Sequence, residues 1–219
     1  MTQILVLIDY GSGNLRSAEN AIVQASRDMP AVIRISSDPE DILKADRIVL
    51  PGVGAFGQCI NALRAISGME SALEQRVRRD GRPFLGICVG MQLLATQGQE
   101  HGLHRGLGWI PGAVVPIRPA DPALKIPHMG WNEVQIKRRE AKNHPVLSPL
   151  PEKFYAYFVH SYRFQMQGEG PGILYADCDY GGAIASIVGI DTVIATQFHP
   201  EKSQAAGLRF LRSFMEWCP

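Results

Sequence analysis

Two short segments of this chain carry residue types that could act together on an acyl group. The first is Gly86-Ile87-Cys88-Val89-Gly90. A cysteine with a glycine two residues away on each side, between an apolar run and a helical pattern, is the thiol form of the G-x-S-x-G nucleophile elbow. The turn is crowded, so only residues without a Cβ let strand and helix approach. A thiol at a helix N-terminus is also favoured as thiolate, and the Val89 N–H points to where an oxyanion would form. The second segment is Gln197-Phe198-His199-Pro200-Glu201-Lys202. A cysteine nucleophile needs a base, and the base needs a third group to fix its tautomer. His199 and Glu201 supply both types, and an H-x-E pair in extended chain presents both side chains on one face. The same residues could instead be a helix start, with Glu201 simply favourable near its N-terminus.

A third segment, Gly52-Val53-Gly54-Ala55-Phe56-Gly57, has the G-x-G-x-x-G spacing of a dinucleotide loop. That fingerprint also requires an acidic residue at the end of the next strand. Here the next strand ends at Ile87-Cys88, and Asp80 precedes it. A tight turn is the better reading, and free N–H groups in such a loop can donate to an oxyanion.

The remaining candidates are weaker. Cys59, Cys178 and Cys218 lie far from Cys88 and from one another, with no C-x-x-C pair, which argues against a disulfide framework or a structural zinc site. His101 and His104 lack a third ligand. His128 and His144 adjoin prolines and suit loops, and His160 lies in an aromatic strand as a structural or interface residue. No metal and no cofactor is expected.

These residues need a framework. The chain has 219 residues, enough for one domain (1–219) with a sizeable core. Its 22 basic and 21 acidic residues leave no excess charge to attract nucleic acid or a membrane surface. The N-terminal apolar run is only five residues, too short for a signal peptide or a span, so a cytoplasmic location is expected. Apolar runs at Ile4–Ile8, Ala31–Ser36, Ile48–Leu50 and Pro83–Ile87 alternate with helical patterns at Asn14–Ser26, Phe56–Ile66 and Met69–Arg79. That alternation predicts a parallel sheet with crossover helices. Asn14 is the expected cap of the first helix, and a short helix follows Cys88. After about Gly98, strands take over at 109–117, 132–136, 155–164, 172–176, 183–189 and 192–197, and a helix over 203–217 closes the chain. The expected fold is an α/β three-layer sandwich with a mostly parallel central sheet and a β-rich C-terminal half. A strand ending near Gln197 would carry His199 to the same carboxyl edge as Cys88, where ligands of open α/β sheets bind.

The elbow and the His-Pro-Glu-Lys-Ser segment together resemble the class I glutamine amidotransferases. Four further runs, Asp9-Tyr10-Gly11-x-Gly13-Asn14-Leu15, Pro51 to Phe56, Pro127-His128-Met129-Gly130-Trp131-Asn132 and Val159-His160-Ser161-Tyr162, resemble the glutaminase subunits of imidazole glycerol phosphate synthases. The resemblance covers residue 4 to beyond 203. It implies hydrolysis of glutamine to glutamate and ammonia by Cys88 as nucleophile, His199 as acid/base and Glu201 as orienting carboxylate. It also implies oxyanion donors at Gly52, Val53 and Val89, and glutamine contacts from Gln92, Glu100, Ser161 and Tyr162. The implied partner is a (β/α)₈ cyclase subunit in a 1:1 heterodimer, which uses the ammonia in histidine biosynthesis. Other class I amidotransferases serve anthranilate, CTP or pyridoxal phosphate synthesis; the Pro127–Asn132 run separates this chain from them. Two positions depart from the pattern: Val89 replaces the common Leu, and Gly98-Gln99 precedes Glu100 in place of Ser-Glu.

Overall fold

The computed structural model describes residues 2–141, 143–168, 170 and 172–219. In chain order, β1 (Gln3–Ile8) leads into α1 (Leu15–Ala25), β2 (Ala31–Ser36) into α2 (Pro39–Lys44), and β3 (Arg47–Gly52) into α3 (Phe56–Ala65) and α4 (Met69–Leu73). A π-helical turn over Glu74–Arg79 continues α4, so the periodic stretch from Met69 to Arg79 is one helical arm of two geometries. β4 (Phe84–Cys88) then passes directly into α5 (Val89–Gln92), a single turn.

The second half contains β5 (Ala95–Gly98), β6 (His104–Arg105), β7 (Ile110–Pro116), β8 (His128–Ile136), α6 (Arg138–Ala141), β9 (Lys153–His160), β10 (Tyr162–Met166), β11 (Ile173–Asp179), β12 (Ala183–Ile190) and β13 (Val193–Thr196). A 3₁₀ turn over Pro200–Lys202 and α7 (Gln204–Glu216) end the chain. Among the described residues, no helix is long and apolar enough to cross a membrane.

The main sheet has nine strands in the order β2-β1-β3-β4-β13-β12-β11-β8-β9. The first five are parallel, and the remaining four add antiparallel strands from the β-rich half. β3, β4 and β13 are buried along their whole length, which is why they read as unbroken apolar runs. α1 packs with α7, and α4 packs with α2 and α3. The second sheet, β10-β7-β5-β6, shares no strand pairing with the first but touches it where β10 meets β12.

Several local expectations change: His128, expected in a loop, is the buried first residue of β8. The apolar stretch 155–164 is two strands rather than one: β9 belongs to the large sheet, and after a bend at Ser161 the chain enters the small sheet as β10, paired with β7. Asn14 makes no side-chain cap to α1. α2 lies where the sequence shows no helical periodicity; Asp38 caps it by accepting from the Glu40 N–H at 2.9 Å and Pro39 opens it.

The central position of β13 sets the site. It runs parallel to β4 with Thr196 opposite Ile87, and β3 pairs Gly52 with Cys88 from the other side. The three chain segments of chemical interest therefore leave neighbouring strands at one carboxyl edge. At the opposite end of β3, the buried Arg47 donates to the carbonyls of Phe214 and Trp217 at 3.0 and 2.5 Å and ties down the end of α7.

Candidate active site

Cys88 sits at the last position of β4 with φ 54° and ψ −111°, a conformation that non-glycine residues rarely adopt. The neighbouring glycines permit it. A Cβ on Gly90 would lie 1.8 Å from the Leu50 carbonyl oxygen on β3, and one on Gly86 would lie 2.8 Å from the Gly90 oxygen. Backbone strain of about 1–3 kcal/mol is the usual cost of such a turn. Replacing Cys88 with Gly or with Ala removes the same thiol but relieves strain only in the Gly variant. Cys88→Gly is therefore expected to unfold at higher urea than Cys88→Ala, by about 1 kcal/mol. An Ala variant at least as stable would show that the turn is unstrained.

His199 follows β13 at the same edge. Phe198 turns into the core, where its ring meets Phe154, Phe158 and Phe210 edge-on at 5.8–6.1 Å between centroids. This anchors the segment while its neighbours Gln197 and His199 face the site. The His199 N–H donates to the Tyr157 carbonyl on β9 at 3.0 Å, and the Ser203 hydroxyl donates to the His199 carbonyl at 2.6 Å. Its Nδ1 lies 2.7 Å from Glu201 Oε1. The H-x-E pair does not meet in extended chain: Pro200 starts a 3₁₀ turn, and that turn folds Glu201 back onto the ring. His199 Nε2 and Glu201 Oε2 are buried without a hydrogen-bond partner among the described residues. Burial works against a charged imidazole, yet the nearby Cys88 sulfur and the Glu201 carboxylate bonded to Nδ1 outweigh it and raise the His199 pKa to about 10.

A cavity of about 330 Å³ opens over Cys88 and His199, a size suited to a small metabolite. Val53, Val89, Gln92, Glu100, Ser161 and Tyr162 all line it, whereas Gly52 lies beneath as the strand residue paired with Cys88. Both Nε2 protons of Gln92 are used, on the Tyr162 carbonyl at 3.1 Å and on Gln197 Oε1 at 3.0 Å, so what Gln92 offers a ligand is its acceptor oxygen. Glu100 Oε2 accepts from the Phe56 N–H at 2.8 Å, at the first residue of α3.

Three contributors had no signal as site residues in the sequence. Gln197 points its Nε2 at the Cys88 sulfur, 3.8 Å away. Tyr10 and Cys59 hold the glycine loop from below: the Tyr10 hydroxyl donates to the Pro51 carbonyl at 2.8 Å and the Cys59 thiol to the Val53 carbonyl at 3.3 Å. Burial pushes the Cys59 thiol up and the Cys178 thiol to about 12, keeping both protonated. The Gly52–Gly57 loop is a packed turn; Gly54 takes φ +100°, and the His104 ring occupies the space a Cβ on Gly57 would need.

Burial lowers the pKa of His128 and of His144 to about 4 and of His160 to about 3. The unfolded chain, with histidines near 6.5, takes up protons first as pH falls. The native state therefore loses stability from about pH 6.5 down to about pH 4 for His128 and His144 and about pH 3 for His160. His199 has the opposite sign: its raised pKa stabilises below about 6.5, and that contribution is lost as pH rises through about 10. Urea midpoints across this range should peak near pH 6.5, and a midpoint still rising at pH 5 would contradict the assignment.

The family model "Glutamine amidotransferase class-I" matches residues 6–217. The chain is 52% identical to the imidazole glycerol phosphate synthase subunit HisH of Rhodospirillum rubrum, over 98% of this chain and 99% of that protein. It is 50% identical to the same subunit of Zymomonas mobilis, over 98% and 96%. In fold it is similar to the structure of PurLQS from Thermotoga maritima, with TM-score 0.71 at 16% identity over 99% of both chains. A glutamine amidotransferase from the same organism gives TM-score 0.65 at 14% identity, covering 99% of this chain and 97% of that one. An elbow cysteine beside a glutamate-held histidine, on this sheet and with these relatives, places the chain in the class I glutamine amidotransferase family, among the HisH subunits of imidazole glycerol phosphate synthase.

Proposed function

We propose that the chain hydrolyses glutamine through Cys88, His199 and Glu201 and passes the ammonia to a cyclase subunit in histidine biosynthesis. The observation that carries this reading is the buried His199, with Nδ1 committed to Glu201 and Nε2 unpartnered, beside a cysteine in a strained elbow.

In the reaction, the Cys88 sulfur attacks the side-chain carboxamide carbon of glutamine. The Val89 N–H, together with donors from the Gly52-Val53 loop, stabilises the oxyanion, worth about 3–4 kcal/mol per well-placed donor. The imidazolium of His199 protonates the departing nitrogen, and ammonia leaves a glutamyl thioester on Cys88. Having given its proton to the leaving nitrogen, the His199 imidazole becomes the base that activates water. Glutamate then departs and the thiol is restored. The acceptor oxygen of Gln92 and the carboxylate of Glu100 suit the N–H groups of the substrate.

The cyclase, a (β/α)₈ barrel in a 1:1 pair, is assigned to the face formed by β8 and β9. Met129, Trp131 and Tyr155 are exposed there, and the Lys202 ammonium lies over the Tyr157 ring, 5.7 Å from its centroid. The loop donor reaches its productive orientation when the cyclase binds its own nucleotide substrate, which keeps idle hydrolysis slow. The test is glutamate release from glutamine by the chain alone, with the cyclase, and with cyclase plus nucleotide. Strong stimulation in the last case supports the coupled reading. Equal turnover in all three removes the coupling, and no glutamate in any removes the glutaminase.

A further inference from the structure

His160 lines the candidate glutamine cavity close to His199, and the reaction above gives it no part. Its surroundings determine what it can do. β8 and β9 are antiparallel with His128 directly opposite His160, and the His128 ring is stacked between Phe158 and Tyr180, with centroids 4.7 and 3.9 Å away.

The hydrogen bonds around the two rings have one consistent direction. His160 Nδ1 lies 2.8 Å from the Tyr162 carbonyl, which can only accept, so Nδ1 carries the proton. In the neutral ring Nε2 then holds a lone pair, and its neighbour at 3.0 Å is His128 Nδ1, which must be the donor. That leaves a lone pair on His128 Nε2, which faces Asn132 Nδ2 at 3.2 Å. The amide group of Asn132 supplies a proton there and another to the Asp179 carbonyl at 2.8 Å, while its Oδ1 accepts from the Glu133 N–H. Every polar position of the chain is used. The Tyr162 carbonyl at its end also receives Gln92 Nε2.

Resting on the glutaminase reading, we infer that His160 is a positioning residue of the glutamine site. Locked into its Nδ1–H tautomer by His128 and Asn132, it fixes the Tyr162 carbonyl, and through it Gln92 and the Ser161–Tyr162 wall. It contributes no proton transfer. A second histidine with a free lone pair in this cavity would compete with His199 for protons; the committed Nε2 prevents that, and burial, which disfavours the charged ring, acts in the same sense.

Two measurements test this. In ¹⁵N-histidine NMR spectra of the chain at neutral pH, His128 and His160 should both show neutral rings protonated at Nδ1. An Nε2–H or doubly protonated His160 overturns the inference without bearing on glutaminase activity. In the reconstituted pair, His160→Ala should raise the KM for glutamine about fivefold to tenfold, the effect of roughly one lost hydrogen bond, with the smaller effect on kcat. His160→Asn keeps an N–H where Nδ1 was and should recover most of that loss. An unchanged KM in the Ala variant overturns the inference. So does a fall in kcat of about 10²-fold or more in both variants, the mark of an acid/base group.

Discussion

Replacing Cys88 with alanine should lower glutamine-dependent turnover of the reconstituted pair by at least about 10⁴-fold, the scale on which removing a nucleophile usually acts. Turnover supported by ammonium salts should survive. The argument is one of position. Three of the four cysteines are buried, but Cys59, on α3, donates to the Val53 carbonyl and Cys178 lies on β11, each kept as a thiol by burial. Cys88 alone stands at an elbow, between the Gln197 amide and the cavity, near an imidazole whose other nitrogen is held by a buried carboxylate. No other described cysteine could take over, so little residual glutaminase activity is expected. Loss of both glutamine- and ammonium-dependent reactions would make Cys88 structural.

The second large effect is on folding. Gly90→Ala places a methyl group 1.8 Å from the Leu50 carbonyl oxygen, and the obstacle is strand backbone in the middle of the sheet rather than a side chain that could swing away. Either β3 and α5 separate or the turn distorts, and both lose packing around fully buried Leu50 and Met91. A destabilisation above about 3 kcal/mol follows, at the upper end of overpacking effects. Urea unfolding with circular dichroism measures it. A variant within about 1 kcal/mol of the parent would mean that strand and helix are not in contact at the elbow.

What the sequence reveals divides by range. The elbow is legible because its cause is local: two glycines, a strand and a turn within five residues. β1, β3 and β4 are legible because burial on both faces leaves unbroken apolar runs. The break at Ser161 is hidden because no glycine or proline marks it, and only pairing with β7 or β8 decides which sheet each part joins. Glu201 reaches His199 through a turn that Pro200 starts, so the right pair emerges from the wrong local geometry. Gln197 escapes notice because an amide has no titration to suggest chemistry. His128 and His160 escape it because 32 residues separate them and only the β8–β9 register brings them together.

The most direct test of the central claim is to treat the chain with an electrophilic glutamine analogue and map the adduct by mass spectrometry. A single adduct on Cys88, blocked by excess glutamine and strongly slowed in His199→Asn, is the expected result. Modification of Cys59, Cys178 or Cys218 in its place, or labelling of Cys88 that glutamine does not protect, would contradict it.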